Sequence, residues 1–216
     1  MAKKATEVNG YANAFRKARR HLSSCDPLLA QLIKNVGPCT LQPSGEAFPL
    51  LVRSIISQMI STKAALAISA RVLAAMQPHG LTPVAVAAAS EEALRGAGLS
   101  RTKVLALKDL AERALSGALP LDQLAELSDE EVIDCLIPVR GIGRWTAEMF
   151  LIFSLGRLDV LPVDDFGLRA GVRDVYQLPD LPTRAALRER GEVWRPYRSI
   201  ATWYFWRSRG GVPQSS

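Results

Sequence analysis

Signals that start and stop helices recur along the whole chain. Ser90, Ser100 and Ser128 each precede a run of helical apolar spacing, where a hydroxyl can accept a hydrogen bond from a free backbone N–H. Gly37 and Pro38 are typical of a helix end. No stretch shows the sustained alternation of β-branched and polar residues that strands require. The sequence therefore predicts an all-α fold of short stacked helices.

The charge balance favours a polyanionic partner. The 27 lysines and arginines exceed the 21 aspartates and glutamates, which gives a formal net charge of +6. Basic side chains neutralise phosphates and release counterions, but many basic proteins bind no nucleic acid. Charge alone therefore leaves the partner open.

Cysteine usage and hydropathy exclude several classes of protein. The three cysteines, Cys25, Cys39 and Cys135, lie far apart and form no Cys-x-x-Cys pair, so we expect reduced thiols and no iron–sulfur cluster held by this chain alone. No apolar run reaches the ~20 residues that span a bilayer, and the N-terminus lacks an apolar signal core. We expect an intracellular protein, in the cytoplasm of a prokaryote or the nucleus of a eukaryote.

Two glycines mark a tight turn between two predicted helices. Gly141 and Gly143 flank Ile142, and the second helix begins at about Arg144. Glycine lets a backbone approach a phosphate closely, and the free N–H groups at a helix start attract an anion. Ile142 would tie the turn to the core. Two interpretations stand at this point, a phosphate-binding hairpin and an ordinary corner between helices.

The surrounding residues favour the hairpin. Residues 136–150 read Leu-Ile-Pro-Val-Arg-Gly-Ile-Gly-Arg-Trp-Thr-Ala-Glu-Met-Phe, and residues 161–169 read Leu-Pro-Val-Asp-Asp-Phe-Gly-Leu-Arg. Both resemble the helix-hairpin-helix DNA glycosylase superfamily, most closely its 3-methyladenine DNA glycosylase II branch, which repairs alkylation damage. Residues 48–61 resemble that branch's early helix and loop, and residues 195–206 resemble its C-terminal helix.

The resemblance implies an architecture. It predicts two helical lobes with a helix-hairpin-helix motif and an active-site cleft between them. We place a basic lead-in at residues 1–24 and the glycosylase domain at residues 25–216, without a clear linker. The last residues, 213–216, are expected to fray.

The resemblance also implies an activity and a partner. It predicts hydrolysis of the N-glycosidic bond of alkylated purines such as 3-methyladenine and 7-methylguanine, which leaves an abasic site. The expected partner is double-stranded DNA that contains alkylated bases, with no membrane contact and a monomeric protein. Two alternatives stay open: a glycosylase for deaminated or oxidised bases, and a non-catalytic protein that binds damaged DNA.

Two adjacent aspartates compete for the catalytic role. Counting from the segment 166–169 matches the alkylation-repair pattern with Asp165, whereas aligning Val163 with the related endonuclease III pattern selects Asp164. We assign catalysis to Asp165. The other interpretation is that both residues only cap the helix that begins at Phe166.

Trp145 bears on the type of reaction. Bifunctional members carry a Schiff-base lysine two residues after the second hairpin glycine, and this chain has Trp145 there. The resemblance therefore implies a monofunctional enzyme. An indole face also attracts a cationic alkylated base, so Trp145 and Trp206 are the predicted substrate pocket. Packing in the protein interior is the alternative for each tryptophan.

The remaining predicted contacts involve DNA. The resemblance points to an inserted wedge at Gln58 and Met59, although Met59 also fits an apolar helix stripe with Leu51 and Ile55. No metal or organic cofactor is required, while the hairpin carbonyls are implied to hold a monovalent cation. The hairpin residues expected to contact DNA are Arg140, Gly141, Gly143, Arg144 and Thr146.

Overall fold

The computed structural model describes residues 2–212, with side chains described for residues 11–212, so the expected fraying of residues 213–216 lies outside it. The described residues contain helices and no strand, which confirms the predicted all-α fold. The α-helices are α1 Ala2–Cys25, α2 Pro27–Val36, α3 Ala47–Ser57, α4 Thr62–Ala75, α5 Pro83–Ala88, α6 Glu91–Gly96, α7 Arg101–Ser116, α8 Asp129–Leu136, α9 Arg144–Phe153, α10 Phe166–Tyr176, α11 Arg184–Gly191 and α12 Arg198–Ser208, and a 3-10 helix covers Glu192–Trp194.

The predicted helix starts are confirmed by their caps. At the start of α8 the Ser128 hydroxyl accepts from the Glu131 N–H, and the Glu131 carboxylate accepts from the Ser128 N–H at 2.8 Å. Ser90 and Ser100 cap α6 and α7 with their hydroxyls, which accept from the N–H groups of Ala93 and Lys103. Beyond these three starts, Ser61 caps α4, since its hydroxyl oxygen lies 3.3 Å from the Ala64 nitrogen. These local bonds fix where the short helices begin.

The described chain forms two compact units. The first unit comprises residues 2–42 and 157–212, and the second unit comprises Pro43–Gly156. Helix α1, which covers the predicted lead-in, belongs to the first unit, where it packs on α2 and α12. Its Phe15, Ala18 and Leu22 are buried. The lead-in therefore contributes to a hydrophobic core.

A buried carboxylate organises the core of the first unit. Asp26 caps α2 by accepting from the Leu29 N–H at 3.0 Å, and it accepts from Trp194 Nε1 at 3.0 Å and from the Tyr176 hydroxyl. Burial, followed by the Asp26 hydrogen bond, raises the pKa of Tyr176 above its ordinary value. These donors offset the cost of burying the charge, so Asp26 ties α2 to two distant segments of the same unit.

The second unit is built around α3, which packs against α4, α7 and α9. Leu51 and Ile55 of α3, Leu107 of α7 and Phe150 of α9 are fully buried. This packing places the end of α3 near the start of α7 and near the turn before α9. Within the described residues, no helix combines the length and apolar character needed to cross a membrane.

Candidate active site

The hairpin between α8 and α9 has the tight turn that Gly141 predicts. Gly141 adopts a φ of 79°, a left-handed conformation that favours glycine. The Ile142 N–H donates to the Val139 carbonyl at 3.0 Å, and the Ile142 side chain is buried. Ile142 therefore ties the turn to the core of the second unit, as predicted.

Gly143 has a backbone conformation that other residues also adopt, so the backbone alone does not explain why this residue is glycine. It is the N-cap of α9 with a φ of −100°, and a β-carbon at this position would meet no atom within 4 Å. No side chain caps α9, although its first N–H groups lack acceptors within the helix. The start of α9 thus offers an open approach to an anion, which favours the phosphate-binding interpretation.

We expect Gly143→Ala to weaken binding of duplex DNA with an abasic site about tenfold, because a methyl group at the helix start would separate a phosphate from the backbone N–H groups. The free energy of unfolding should change by less than about 1 kcal/mol, since the added methyl has room. Fluorescence anisotropy and urea unfolding measure the two quantities. The matched control is Gly96→Ala, where the space is equally open; equal affinities for both variants would exclude the phosphate contact.

The two hairpin arginines differ in their surroundings. Arg140 is exposed, and its backbone N–H donates to Asp109 Oδ2 at 2.7 Å. The Arg144 guanidinium donates to Glu130 at 3.0 Å and lies 3.3 Å from Glu148, and the hydrogen bond with Glu130 raises the pKa of Arg144. A phosphate would have to compete with Glu130 for Arg144, whereas the Arg140 side chain projects from the exposed turn.

Thr146 and Trp145 differ in exposure. Thr146 is only 5% exposed, so its buried side chain gives the predicted DNA contact no support, and that contact stays a prediction. Trp145 is 37% exposed on the first turn of α9. Part of its indole is therefore accessible to a ligand, as a stacking role requires.

Met59 lies outside the core. Its side chain is 100% exposed and its backbone φ is 57°, in the turn between α3 and α4. This exposure excludes the interpretation that Met59 completes the apolar stripe with Leu51 and Ile55. An exposed apolar side chain on a tight turn has the form that insertion into a base stack requires, and the wedge role stays a prediction. The neighbouring Gln58 directs its side-chain Nε2 to the Gly141 carbonyl at 2.9 Å.

In the first unit, the structure brings Asp165 and Trp206 together. Asp165 Oδ1 accepts from Trp206 Nε1 at 2.8 Å and, as the N-cap of α10, from the Leu168 N–H at 2.5 Å. Both residues are buried, with exposures of 5% and 2%. A β-carbon on Gly167 would lie 3.1 Å from Asp165 Oδ1 and 3.1 Å from Trp206 Cδ1. Glycine at this position therefore accommodates the close approach of the carboxylate and the indole.

Asp164 has a different environment. It is about 41% exposed and forms an ion pair with Arg184 at the start of α11. Its charge is compensated at the surface, whereas Asp165 is fixed by two N–H donors in the interior. Asp165 therefore caps α10 and also holds its carboxylate against the Trp206 indole, while its catalytic role stays a prediction.

Sequence reasoning missed two side chains on α7 that brace the turn after α3 and the hairpin, all within the second unit. Lys103 Nζ donates to the carbonyls of Ile56 and Gln58, and Asp109 holds the backbone of Arg140. Lys103 stands four residues before Leu107, so it lies on the apolar face of α7. A lysine among the apolar residues of this helix face was the sequence feature that could have identified Lys103.

A metal-binding cluster was not predicted from the sequence. Among the side chains described for residues 11–212, no group of three or more histidine, cysteine, aspartate or glutamate residues is placed to hold a metal ion. The three cysteines are free thiols.

The sequence and fold match a known family of repair proteins. The sequence profile of the HhH-GPD superfamily of base excision DNA repair proteins matches residues 52–196. Because this match covers more than half of the chain, the protein belongs to the HhH-GPD superfamily. The resemblance found in residues 136–169 is thereby confirmed.

Its relatives include proteins named as DNA-3-methyladenine glycosylases. DNA-3-methyladenine glycosylase 1 of Schizosaccharomyces pombe is 39% identical over 208 residues, which cover 94% of this chain and 91% of the relative. The structure of 3-methyladenine DNA glycosylase from the same yeast in complex with abasic DNA has a TM-score of 0.80 and 38% identity, covering 91% of this chain and 98% of that one. A DNA-3-methyladenine glycosidase from Bacillus halodurans gives a TM-score of 0.82 and 37% identity, covering 89% of each chain.

Proposed function

We propose that this protein is a monofunctional DNA glycosylase that hydrolyses the N-glycosidic bond of alkylated purines and leaves an abasic site in an uncut strand. The observation that carries the proposal is the buried Asp165 carboxylate, held by the Leu168 N–H and the Trp206 indole. The names of the relatives support the substrate class. We further propose that the protein acts inside the cell, as a monomer on double-stranded DNA.

Asp165 would stabilise the charge that develops during bond cleavage. As the bond between the base nitrogen and sugar C1′ breaks, its electron pair leaves with the base and positive charge grows on the deoxyribose. A fixed carboxylate stabilises that charge, and it can accept a proton from the water that adds to C1′. An alkylated purine such as 7-methylguanine is already cationic, so it leaves as a neutral base without prior protonation.

Trp145 supports the absence of strand cleavage. A lyase reaction needs an amine that attacks C1′ and forms a Schiff base. At the position where bifunctional relatives carry lysine, this chain has an indole, which cannot form that bond. The accessible part of the Trp145 ring would instead attract a cationic base, with a gain of roughly 0.5–2 kcal/mol.

The second unit would bind the DNA backbone and fill the base stack. The N–H groups at the start of α9, next to Gly143, would bind a phosphate. Met59 would occupy the space that a flipped nucleotide leaves. Backbone carbonyls suit a hard monovalent cation, so the hairpin fits such an ion by donor class. The Gly141 carbonyl already accepts from Gln58 and the Val139 carbonyl from the Ile142 N–H, so the ion would be held by other carbonyls of the turn. A bound cation would add positive charge next to a phosphate.

The direct test is base release from methylated DNA. Duplex DNA treated with a methylating agent is incubated with the protein, the released bases are separated by chromatography, and the strands are analysed with and without alkali. We expect free 3-methyladenine or 7-methylguanine, and strand breaks only after alkali. The absence of free base contradicts the glycosylase assignment, and breaks without alkali contradict the monofunctional one.

A further inference from the structure

The turn that presents Met59, defined here as residues 58–61 and called the Met59 turn, has an uncommon backbone. Among the described residues, only Met59 and Gln177 adopt a positive φ without being glycine, and Gln177 is the C-cap of α10. A methionine in the left-handed region is disfavoured sterically. Such a conformation persists only where the surrounding structure fixes it.

Lys103 supplies part of that fixation. Its ammonium donates to the Ile56 carbonyl at 2.6 Å and to the Gln58 carbonyl at 2.8 Å. The end of α3 leaves carbonyls without intrahelical donors, and a cation there also compensates the helix dipole. The Gln58 carbonyl belongs to the peptide group that joins Gln58 to Met59. Lys103 therefore restrains the peptide group on the N-terminal side of Met59, whose φ is left-handed.

Gln58 links the same turn to the hairpin. Its side-chain Nε2 donates to the Gly141 carbonyl, 83 positions along the chain, at 2.9 Å. A β-carbon on Gly141 would lie 3.8 Å from Gln58 Oε1, so the amide lies against the turn. Lys103 thus holds the backbone carbonyl of Gln58, and the side-chain amide of Gln58 connects the turn to Gly141 in the hairpin.

We propose that Lys103 is a positioning residue that holds the Met59 turn in its wedge conformation before DNA binds, with Gln58 transmitting this restraint to the hairpin. The functional part of this inference rests on the proposed glycosylase function. A turn that is already ordered inserts Met59 without a further loss of conformational entropy. Without the Lys103 hydrogen bonds, the left-handed residue relaxes and the turn must be reordered on each encounter with a damaged base pair.

The chain provides a matched control on the same helix. Lys108, also on α7, donates from its ammonium to the Ala87 carbonyl at 2.7 Å and to the Ala89 carbonyl, at the end of α5. Lys103→Met and Lys108→Met therefore each remove one lysine that donates to two backbone carbonyls near a helix end, and only the first affects the Met59 turn.

The first experiment measures hydrogen exchange of the DNA-free protein. We expect Lys103→Met to speed amide exchange in residues 56–61 about tenfold, because two charge-assisted hydrogen bonds are lost. Lys108→Met should speed exchange at the end of α5 and leave residues 56–61 unchanged. Lys103→Arg keeps several donors and should retain slow exchange. Unchanged exchange at residues 56–61 in Lys103→Met would show that Lys103 does not hold the turn and would refute the proposal, and equal acceleration there in Lys108→Met would refute the assignment to Lys103.

The second experiment connects the turn to catalysis. Base release is measured from a lesion in a duplex and from the same lesion in a single strand, where no stack has to be refilled. The ratio of the base-release rate on the duplex to the rate on the single strand should fall about fivefold in Lys103→Met. In a protein that already carries Met59→Ala, adding Lys103→Met should not lower this ratio further. Additive losses would show that Lys103 does not act through Met59. A wild-type protein that releases no base from either substrate, with exchange accelerated as expected, would refute the proposed function and leave the Lys103 restraint standing.

Discussion

Asp165→Asn should slow base release at least about a hundredfold, with little change in the free energy of unfolding. The asparagine Oδ1 can still accept from the Leu168 N–H and from Trp206 Nε1, so the start of α10 should stay intact. What the substitution removes is the negative charge that we propose stabilises the sugar as the N-glycosidic bond breaks. Single-turnover release of 7-methylguanine measures the rate, and urea unfolding measures the stability.

Asp164→Asn discriminates between the two adjacent aspartates. Asp164 forms a partly exposed ion pair with Arg184, and such pairs stabilise proteins by less than about 1 kcal/mol. We therefore expect the Asp164→Asn protein to retain base release within about threefold of the wild-type rate. The reverse order, with the larger loss in Asp164→Asn, would assign the reaction to Asp164. Comparable large losses would mean that the charge of the pair matters as a whole.

The sequence predicted the helix starts and the hairpin turn, which depend on bonds between residues close together in the chain. The Ser128 hydroxyl caps α8 through a bond within one turn of helix, so this helix start can be predicted from neighbouring residues alone. Gly141 is another local case, because the turn itself demands a left-handed residue. The all-α class and the hairpin follow from signals of this kind. The assignment to glycosylases came from matching longer motifs around the hairpin.

The sequence could not predict bonds between residues that are distant along the chain. Lys103 acts on carbonyls 45 and 47 positions away, and Gln58 reaches Gly141 across 83 positions. Such bonds depend on how α3, α7 and the hairpin pack, which no local spacing encodes. Met59 illustrates the same limit: helical periodicity alone allowed a core position, and only the backbone turn after α3 shows that its side chain is exposed.

Gly171→Ala should destabilise the protein by about 3 kcal/mol, although alanine has a higher helix propensity than glycine. Gly171 is buried in α10, which packs against α12. A β-carbon there would lie 2.6 Å from the Phe205 carbonyl oxygen and 3.0 Å from Phe205 Cβ. The nearest atom belongs to the backbone, so a side-chain rotation cannot relieve the clash, and the two helices must move apart.

The substitution should also reduce base release in the protein that remains folded. Trp206 follows Phe205 on α12, while Asp165 caps α10, so separating the helices lengthens the bond between Asp165 Oδ1 and Trp206 Nε1. Gly96→Ala in α6 is the matched comparison, because its β-carbon would meet nothing within 4 Å, and alanine there should be neutral or stabilise by up to about 1 kcal/mol. Urea unfolding of the two variants measures the contrast. If both shift the free energy of unfolding in the same direction and by the same amount, the close contact between α10 and α12 is not what requires glycine at position 171.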